Sequence, residues 1–520
     1  MNEAERSQKP DQSEVFSFLA DSATYGLDEP VVRIDTHGAA VFLAGKHVYK
    51  VKRAVHFPFM DFSTLEKRRA ACESEIAVNK GNAPEIYLGV VPISRENSRL
   101  KLGSGSEIIE WAVHLRRFDE NRAMDRLASR GELDMKLVEK LAEAVAASHR
   151  RAPIMRDRDA PAALRAQIEE TMASLEGAPG VFPAGETADL KRRMLDSFER
   201  LKSLLQRREA AGEVRRCHGD LHLGNIAMIN GTPVLFDALE FDERLATCDI
   251  LYDLAFLLMD VWTRGLKIEA NLLMNRYFSK CDDVERQLEA LAALPLFLSL
   301  RAAIRAKVTN LEPCKTATTI AAARALFAAA RAFFVPEPLQ LVAVGGLSGT
   351  GKSSLARKIA PLIGRPPGAV HLRSDIERKR FLHAGEFETL PQQAYRPEIS
   401  VIVYHRLRDL AATALAAGQS VVLDAAHRTA EERAQADIGK SAGARFTGLW
   451  LEAPTGIRLE RVSRRKDDAS DAGPEIAAAQ AREAVGIIDW RRLDASQPIE
   501  ALVNQALAAI DASSRAETPK

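Results

Sequence analysis

The structured part of the chain begins with short runs in which apolar and polar residues alternate. From Val31 to Val55 this alternation predicts two strands that are joined in a hairpin at Gly45 and Lys46. Lys50 and Lys52 have the period of a strand, so both side chains are expected on one face of it.

From Leu65 to Phe334 the pattern predicts mainly helices, with a few strands between them. A helix is predicted from Leu65 to Lys80 and a strand from Glu110 to Phe118, with the apolar run IYLGVVPI between them. Helices are also predicted from Leu133 to Arg150 and from Glu186 to Ala211. The helical pattern continues from Ile250 to Phe334, where the run VPEP breaks it with two prolines and marks a linker.

Beyond the linker, apolar strands alternate with helical patterns. Strands are predicted to end at Asp375 and at Asp424, and another covers Phe446 to Ala453. This alternation is typical of a parallel α/β sheet. The sequence therefore predicts a flexible tail over 1–24, a first domain over 25–335, a linker over 336–338, a second domain over 339–505 and a tail over 506–520.

Composition is that of an ordinary globular protein with two or three domains: 520 residues, 46% apolar and 28% charged. A net charge of +1 gives no overall attraction to nucleic acid or to an anionic membrane. The polar opening MNEAERSQKPDQSE is not typical of a secretory signal, and no apolar run approaches the roughly 20 residues that span a bilayer. The five cysteines lack CxxC spacing, which favours thiols in a reducing cytosol. We therefore expect a cytoplasmic protein.

A glycine-rich turn, GGLSGTGKSS, lies between the apolar run LVAV and the amphipathic run LARKIAPLI. Its pattern GxxxxGKS is that of a phosphate-binding loop, in which glycines let backbone N–H groups point at phosphates beside a helix N-terminus. Lys352 can reach the β- and γ-phosphates, and Ser353 can offer its hydroxyl to Mg²⁺. A turn that binds nothing is the alternative, but the order strand, loop, helix favours a nucleotide site. The residues predicted to bind nucleotide here are Gly346, Leu347, Ser348, Gly349, Thr350, Gly351, Lys352, Ser353 and Ser354.

Three further positions in the second domain are candidates because the carboxyl ends of parallel strands face the ligand crevice. Asp375 can accept the proton of an attacking hydroxyl, and Arg378 can bind an anionic acceptor. Asp424 can hold the water shell of Mg²⁺. Either aspartate could instead simply cap a helix.

A second constellation lies in the first domain. His218-x-Asp220-x₄-Asn225 has the spacing of a kinase catalytic loop, and Asp237 ends the next short strand. Asp220 can accept a hydroxyl proton, and Asn225 and Asp237 are hard oxygen ligands suited to Mg²⁺. A polar turn between two strands is the alternative.

The segments CHGDLHLGNI, LFDALEFDE and YDLAFLLMDV resemble the aminoglycoside phosphotransferase/choline kinase superfamily. With HVYKVKRAV, FPFMDFSTLEKRRAACESE and RAAIRAKV, the chain is similar to bacterial two-domain proteins described as bifunctional aminoglycoside phosphotransferase/ATP-binding proteins, from about Tyr25 to about Ser496. The resemblance implies a bilobal, protein-kinase-like α+β domain, then a P-loop α/β domain, both using ATP and Mg²⁺. It does not imply aminoglycosides as substrates.

The resemblance also implies roles for single residues. Lys50 would bind phosphate and Glu75 would be its partner, although Lys52 and Glu73 fit the spacing as well. Asp253 would tie the large lobe together.

The second domain resembles the polynucleotide kinase, zeta-toxin and gluconate kinase group. There, a lid like RLERVSRRKDDASDA closes over the phosphates. Arg461 and Arg465 share one helix face in it, with Arg464 beside them, although any one of them could simply be solvated.

These features together predict an ATP-dependent phosphotransferase with two nucleotide sites and a small-molecule hydroxyl acceptor. One alternative is a regulatory ATP-binding protein with one degenerate site. Another is a polynucleotide 5′-kinase, which the neutral charge balance disfavours.

Overall fold

The computed structural model of the chain describes residues 11–57, 60–312, 315–434, 438–439, 442–464, 469–471, 473, 475, 477–478 and 485–516. The chain divides into two compact units. The first comprises Met1–Leu164 and Leu205–Leu257, and the second comprises Arg165–Leu204 and Leu258–Lys520. Each unit has its own main sheet and its own candidate site.

The strands of the first unit are β1 (Val32–Asp35), β2 (Ala39–Ala44), β3 (His47–Lys52), β4 (His56–Phe57), β5 (Met60–Asp61), β6 (Tyr87–Glu96), β7 (Arg99–Leu102), β8 (Glu107–Arg116), β9 (Val214–Arg216), β10 (Ile226–Ile229), β11 (Thr232–Leu235) and β12 (Thr247–Asp249). Its main sheet has the order β1-β2-β3-β8-β6-β7, with neighbouring strands antiparallel. The predicted hairpin is present, since β2 and β3 pair around Gly45 and Lys46.

The helices that begin before residue 258 are α1 (Ser13–Ala20), α2 (Leu65–Asn79), α3 (Met124–Ser129), α4 (Met135–Arg151), α5 (Ala160–Glu176), α6 (Ala184–Ala210), α7 (Glu243–Ala246) and α8 (Ile250–Thr263). Most of α5 and α6 belongs to the second unit. Helix α2 begins after Thr64, whose hydroxyl accepts a hydrogen bond from the backbone N–H of Lys67. This helix lies against β8 and β6 and brings its buried acidic residue to the lysines of β3.

Helix α1 departs from the flexible tail that the sequence predicts over 1–24. Its residues Val15, Phe16 and Leu19 are buried in the core of the six-stranded sheet. The preceding Gln12 donates from Nε2 to the carbonyl of Lys52 at 2.9 Å and accepts from the backbone N–H of Ala54 at 2.8 Å. Apolar burial and one fully used amide therefore fix this segment to the sheet.

The second unit contains the strands β13 (Gln340–Gly346), β14 (Val370–Arg373), β15 (Val421–Asp424), β16 (Arg445–Glu452) and β17 (Arg491–Asp494). They form a five-stranded parallel sheet in the order β14-β15-β13-β16-β17. Every residue of the central strand β13 is buried, which explains its continuous apolar run. The predicted parallel α/β sheet is present.

The helices of the second unit that follow α8 are α9 (Lys267–Ser279), α10 (Val284–Ala290), α11 (Leu294–Asn310), α12 (Ala317–Ala332), α13 (Lys352–Ile359), α14 (Ser374–Phe381), α15 (Pro397–Ala416), α16 (Ala430–Arg433), α17 (Thr455–Ser463) and α18 (Ile499–Ala516). Two bounds differ from the sequence prediction. Strand β14 ends at Arg373, so Asp375 lies in the first turn of α14. Helix α18 continues through the predicted tail, because Ala506 and Ile510 are buried in the core.

Helix α9 packs against the sheet of the second unit through polar contacts. Asn271 Nδ2 donates to the carbonyl of Ala369 at 3.0 Å, and Asn275 Oδ1 accepts from the backbone N–H of His371 at 2.8 Å. Arg380 Nη2 on α14 donates to the carbonyl of Ser279 at 2.7 Å. These contacts join α9 to the rest of the second unit, which includes residues on both sides of the linker predicted at 336–338.

The helical stretch Val284–Asn310 is long and apolar enough to cross a membrane by length and composition alone. Within its most apolar window, 78% of the residues are buried inside the protein, as in a core helix. This stretch is therefore weak evidence for a membrane span.

Candidate functional site

In the first unit, two lysines of β3 share one glutamate of α2. Lys50 Nζ lies 3.0 Å from one carboxylate oxygen of Glu75, and Lys52 Nζ lies 2.5 Å from the other. Lys50 also lies 2.7 Å from Asp237 Oδ1, and Lys52 also pairs with Glu240. Burial alone would raise the pKa of Glu75, but the two lysines lower it to about 2.

The two lysines differ in depth. The side chain of Lys50 is 16% exposed and reaches Asp237, whose own side chain is 44% exposed. The side chain of Lys52 is 2% exposed and its Nζ lies over the ring of Phe62. Glu73, the other acid that the spacing allowed, is exposed and pairs with Arg69 on its own helix at 2.9 Å. Of the four side chains, Lys50 and Glu75 form the pair next to the accessible carboxylate.

The catalytic-loop candidates lie together between β9 and β10. Asn225 Nδ2 donates to both the carbonyl and the carboxylate of Asp220, each at 2.9 Å. Because the amide nitrogen is used in this way, the amide oxygen is the atom that Asn225 can offer to a metal ion. The Nδ1 atom of His222 accepts from the backbone N–H of Gly224 at 3.1 Å, and its Nε2 lies 3.4 Å from Asp220. His222 therefore braces the loop.

One buried aspartate holds the backbone of this loop. Asp253 on α8 is fully buried, and its two oxygens accept from the N–H groups of His218 at 3.2 Å and Gly219 at 2.8 Å. His149 Nε2 lies 3.1 Å from the same carboxylate. Asp253 thus holds the backbone of the loop from the interior of the protein and is not itself exposed to solvent.

Asp237 follows β11 in a conformation that side chains rarely adopt, with φ of 60°. Its backbone N–H donates to the hydroxyl of Tyr87 at 3.0 Å, and the next residue, Ala238, is held by Asn79 at 2.7 Å. Phe236 donates its N–H to the carbonyl of Asn225 at 3.0 Å. The two predicted metal ligands of this unit are therefore held on neighbouring segments, and backbone strain of this kind is often found at functional sites.

Replacing Glu75 with glutamine is expected to destabilise the first unit by about 3–5 kcal/mol, because two buried lysines would lose their shared partner. Since the pKa of Glu75 is lowered from 4.5 to about 2 in the folded state, its stabilisation is present above pH 4.5 and is lost as pH falls through about 2. Urea unfolding as a function of pH measures both effects.

The matched control is Glu73→Gln, which removes the same charge from an exposed position on the same helix. We expect a change of about 1 kcal/mol or less from this variant. Equal destabilisation by the two variants would contradict the assignment of Glu75 as the buried partner.

In the second unit, the glycines of the phosphate-binding loop are required by close packing. Gly346 and Gly349 have φ of 140° and 84°. A Cβ on Gly349 would lie 2.5 Å from the carbonyl oxygen of Arg458, and one on Gly346 would lie 2.7 Å from that of Leu451. Because these neighbours are backbone atoms, neither glycine position leaves room for a side chain. The concave form of the loop suits a phosphate chain.

The polar side chains of the loop fit the same purpose. Lys352 begins α13, and its Nζ donates to the carbonyl of Leu347 at 3.2 Å, so it is folded back along the loop. Thr350 donates to the same carbonyl at 2.8 Å and is buried. Ser353 lies in the first turn of α13, with its hydroxyl group available to a hard cation.

The pKa values of the two predicted acids of this unit are shifted in opposite directions. Burial raises the pKa of Asp375 above its ordinary value, as suits a group that accepts a proton. Burial alone would also raise the pKa of Asp424, but His371 at 3.2 Å and Arg373 at 3.4 Å lower it well below its ordinary value. Asp424 is therefore ionised, and one of its oxygens faces these two side chains.

The predicted arginines lie at different depths. Arg378 is 6% exposed, and its guanidinium carbon lies 4.8 Å from the centre of the Tyr395 ring. Arg461 is exposed, and its Nη1 lies 3.9 Å from the place where a Cβ on Gly351 would be. Arg464 pairs with Glu460 at 2.7 Å on the surface. Arg465 lies outside the described residues.

Most of the predicted residues of the second unit line one cavity of about 1220 Å³. Gly346 and Leu347, the first two residues of the loop, are not among the residues that line it. The predicted residues that line the cavity are Ser348, Gly349, Thr350, Gly351, Lys352, Ser353, Ser354, Asp375, Arg378, Asp424 and Arg461.

Sequence reasoning missed several residues around these sites. Glu240 was not singled out, although it pairs with the buried Lys52. Tyr395 and Asp471, which line the cavity beside Arg378, were missed as well. No local pattern marks these residues, because their partners are distant in the sequence.

Two family models match the chain in separate regions. Residues 99–292 match the phosphotransferase enzyme family, and residues 341–485 match an AAA domain. Two curated relatives match across both regions: the uncharacterized proteins Rv2004c of Mycobacterium tuberculosis and Mb2027c of Mycobacterium bovis. Each is 30% identical over 500 residues, which cover 92% of this chain and 95% of the relative. The chain belongs to their family.

This chain joins an aminoglycoside phosphotransferase-like region to a P-loop kinase-like region, as the motifs suggested. The two family models support a kinase-type phosphotransferase, so the predicted fold class and enzyme class are confirmed for this chain. Kinases of this type use ATP.

Solved structures with similar folds cover single parts of the chain. Plasmodium vivax ethanolamine kinase is 13% identical, with a TM-score of 0.38, covering 60% of this chain and 86% of that one. A choline/ethanolamine kinase family protein from Mesorhizobium loti is 17% identical, with a TM-score of 0.37, covering 62% and 93%. A sugar kinase from Janibacter is 23% identical, with a TM-score of 0.27, covering 34% and 95%.

Proposed function

We propose that this phosphotransferase has two ATP sites, one in each unit, and that each transfers the γ-phosphate to a hydroxyl group of a small molecule. The observation that carries the proposal is common to both units. Each holds a lysine suited to phosphate, a carboxylate suited to a hydroxyl proton, and separate oxygen ligands for a metal ion. We further propose a cytoplasmic location, from the charge balance and the free cysteines.

In the first unit, Lys50 would bind the phosphates, with Glu75 holding it in place. Asn225 and Asp237 would hold Mg²⁺, which neutralises phosphate charge when it is bound. Asp220 would accept the proton of the acceptor hydroxyl, while Asn225 keeps its carboxylate in position. The donor set fits the metal, because it consists of amide and carboxylate oxygens.

In the second unit, Lys352 and the loop backbone would bind the phosphates, and Ser353 with Asp424 would hold Mg²⁺. Asp375 would accept the hydroxyl proton, and Arg378 would bind an anionic group of the acceptor. The exposed Arg461 lies beside the loop and would neutralise charge on the transferring phosphoryl group.

A second candidate function is an ATP sensor in which the second unit binds nucleotide without transferring phosphate. One observation favours it, namely that Asp424 is ion-paired with Arg373 and close to His371. An aspartate engaged in this way has less capacity for a metal water shell. Phosphoryl transfer by the second unit separates the two candidates.

The two-site proposal predicts two equivalents of a non-hydrolysable ATP analogue per chain in calorimetry with Mg²⁺. Lys50→Ala and Lys352→Ala are each expected to weaken one of the two binding events by about tenfold or more, because each removes a charged phosphate contact. Lys52→Ala is expected instead to destabilise the first unit, since it leaves Glu240 without its buried partner.

Lys46→Ala serves as the control, because Lys46 is an exposed lysine in the hairpin turn next to β3. A stoichiometry of one in the unmodified protein would contradict the two-site proposal. Selective loss of nucleotide affinity in Lys52→Ala, with Lys50→Ala unaffected, would exchange the roles of the two lysines.

A further inference from the structure

Arg378 is held by the short segment that precedes α15 and by the start of α15 itself. Its Nη1 donates to the carbonyl of Ala394 at 2.8 Å, its Nη2 lies 3.4 Å from Ser400 Oγ, and its guanidinium stacks on Tyr395. The Nε atom is buried and has no hydrogen-bond partner within the part of the chain that the structure describes. A guanidinium that is buried but only partly satisfied is suited to receive an oxyanion.

Asp471 connects three points around this arginine. Its Oδ2 accepts from the hydroxyl of Tyr395 at 2.6 Å and from the backbone N–H of Leu390 at 3.2 Å. Its Oδ1 lies 3.0 Å from Nζ of Lys379, the residue after Arg378 on α14. The side chains of Asp471 and Lys379 are 5% and 3% exposed. One buried carboxylate therefore ties α14 to the segment that carries Tyr395.

These contacts determine the position of the arginine through its neighbours. Tyr395 can support the guanidinium only while its ring stays in place, and the hydroxyl bond to Asp471 fixes that ring. Lys379 Nζ also donates to the carbonyl of Glu386 at 2.7 Å, so the carboxylate is itself held from the α14 side. Charge-assisted hydrogen bonds of this kind are stronger than neutral ones.

We propose that Asp471 is a positioning residue of the acceptor site in the second unit. Through Tyr395 it holds Arg378 in the orientation that receives an oxyanion of the acceptor, such as a carboxylate or a phosphate group. Asp471 acts through Tyr395 and Lys379 and does not itself bind the acceptor. The inference rests on the proposed function, in which Arg378 binds an anionic acceptor.

The test uses full-length protein saturated with Mg²⁺ and a non-hydrolysable ATP analogue, so that both nucleotide sites are filled. Inorganic sulfate is then titrated by calorimetry as the probe of Arg378. We expect Arg378→Ala to weaken sulfate binding by about tenfold or more, since hydrogen bonds to charged groups are lost. Tyr395→Phe keeps the ring and removes the hydroxyl, and we expect it to weaken sulfate binding by about three- to tenfold.

Asp471→Asn is expected to weaken sulfate binding at least as much as Tyr395→Phe. The double variant of these two should be no worse than Asp471→Asn alone, because both act through one hydrogen bond. If Asp471→Asn fails to fold, Asp471→Asn combined with Lys379→Gln removes the unpaired buried charge and takes its place. Glu398→Gln removes an exposed carboxylate at the start of α15 and is the control, with unchanged sulfate affinity expected.

The outcomes distinguish failure of the role of Asp471 from failure of the anionic-acceptor role of Arg378. Loss of sulfate affinity in Arg378→Ala, Tyr395→Phe and Asp471→Asn, with the analogue still bound, supports the inference, and unchanged affinity in Asp471→Asn overturns it. Loss in Arg378→Ala alone overturns the role of Asp471 and leaves the proposed function standing. Unchanged sulfate affinity in Arg378→Ala overturns both the inference and the anionic-acceptor role on which it rests.

Discussion

Asp375→Asn is expected to slow phosphoryl transfer by the second unit by about 10²–10⁴-fold, the range for loss of a general base. The residue lies in the first turn of α14 and lines the same cavity as the phosphate-binding loop. Asparagine has nearly the same shape but cannot accept the proton. The proposed nucleotide contacts come from the loop, so affinity for Mg²⁺–ATP should change by less than about twofold, because only an interaction with the reacting proton is removed.

The pH profile provides a second measurement. Because burial raises the pKa of Asp375, the group becomes a competent base only above the ordinary range of an aspartate. Transfer by the unmodified second unit should therefore rise with pH through this raised pKa and then level off. The rising limb should be absent from the residual activity of Asp375→Asn.

The measurement uses labelled ATP and a metabolite extract in full-length protein that carries Asp220→Asn, a substitution expected to silence the first unit. Asp409→Asn, an exposed aspartate of α15, is the matched control. Loss of ATP binding in Asp375→Asn, with transfer per bound nucleotide preserved, would make Asp375 a metal ligand and contradict its role as a base.

The parts of both sites that the sequence predicts are local in the chain. The loop from Gly346 to Ser354 follows its strand and precedes its helix directly, so spacing alone determines its form. The segment from His218 to Asn225 is equally short, and its internal bond between Asn225 and Asp220 spans five residues. Where the functional residues and the contacts that position them lie within a few consecutive residues, the sequence pattern predicts both.

The choice between Lys50 and Lys52 required the fold. A strand period of two puts both on one face, and both contact Glu75. Lys52 is buried against Phe62 and pairs with Glu240, whereas Lys50 reaches Asp237. Both acids are far away in the sequence. How deeply a lysine side chain is buried depends on the packing of distant segments. The alternation of residues along one strand does not predict it.

Other elements were missed because their stabilising contacts are long-range. Helix α1 has eight residues, too few to be stable alone, and it depends on burial of Phe16 and Leu19 and on the amide of Gln12. The bond from Tyr395 to Asp471 spans 76 residues. In the sequence, α1 lies within a predicted flexible tail, and nothing near Asp471 in its predicted lid segment indicates a bond to Tyr395.

Asp220→Asn is expected to slow transfer by the first unit by about 10²–10⁴-fold while leaving that unit folded. The loop backbone is held by Asp253, which the substitution does not touch. An asparagine at this position can still bond to Asn225 after rotation of its amide, so only the capacity to accept a proton is removed. The second unit is silenced with Lys352→Ala in this experiment, and transfer from labelled ATP is measured.

His222→Gln tests whether His222 takes part in proton transfer or only stabilises the loop that carries Asp220. His222 lies 3.4 Å from Asp220 and accepts from the N–H of Gly224, so its loss should loosen the loop and lower the rate by about tenfold or less, as expected for one lost hydrogen bond. If His222→Gln slows transfer as much as Asp220→Asn does, the histidine takes part in proton transfer and Asp220 is not the sole acceptor. If Asp220→Asn has no effect while Lys50→Ala still weakens ATP binding, the first unit binds nucleotide without transferring phosphate.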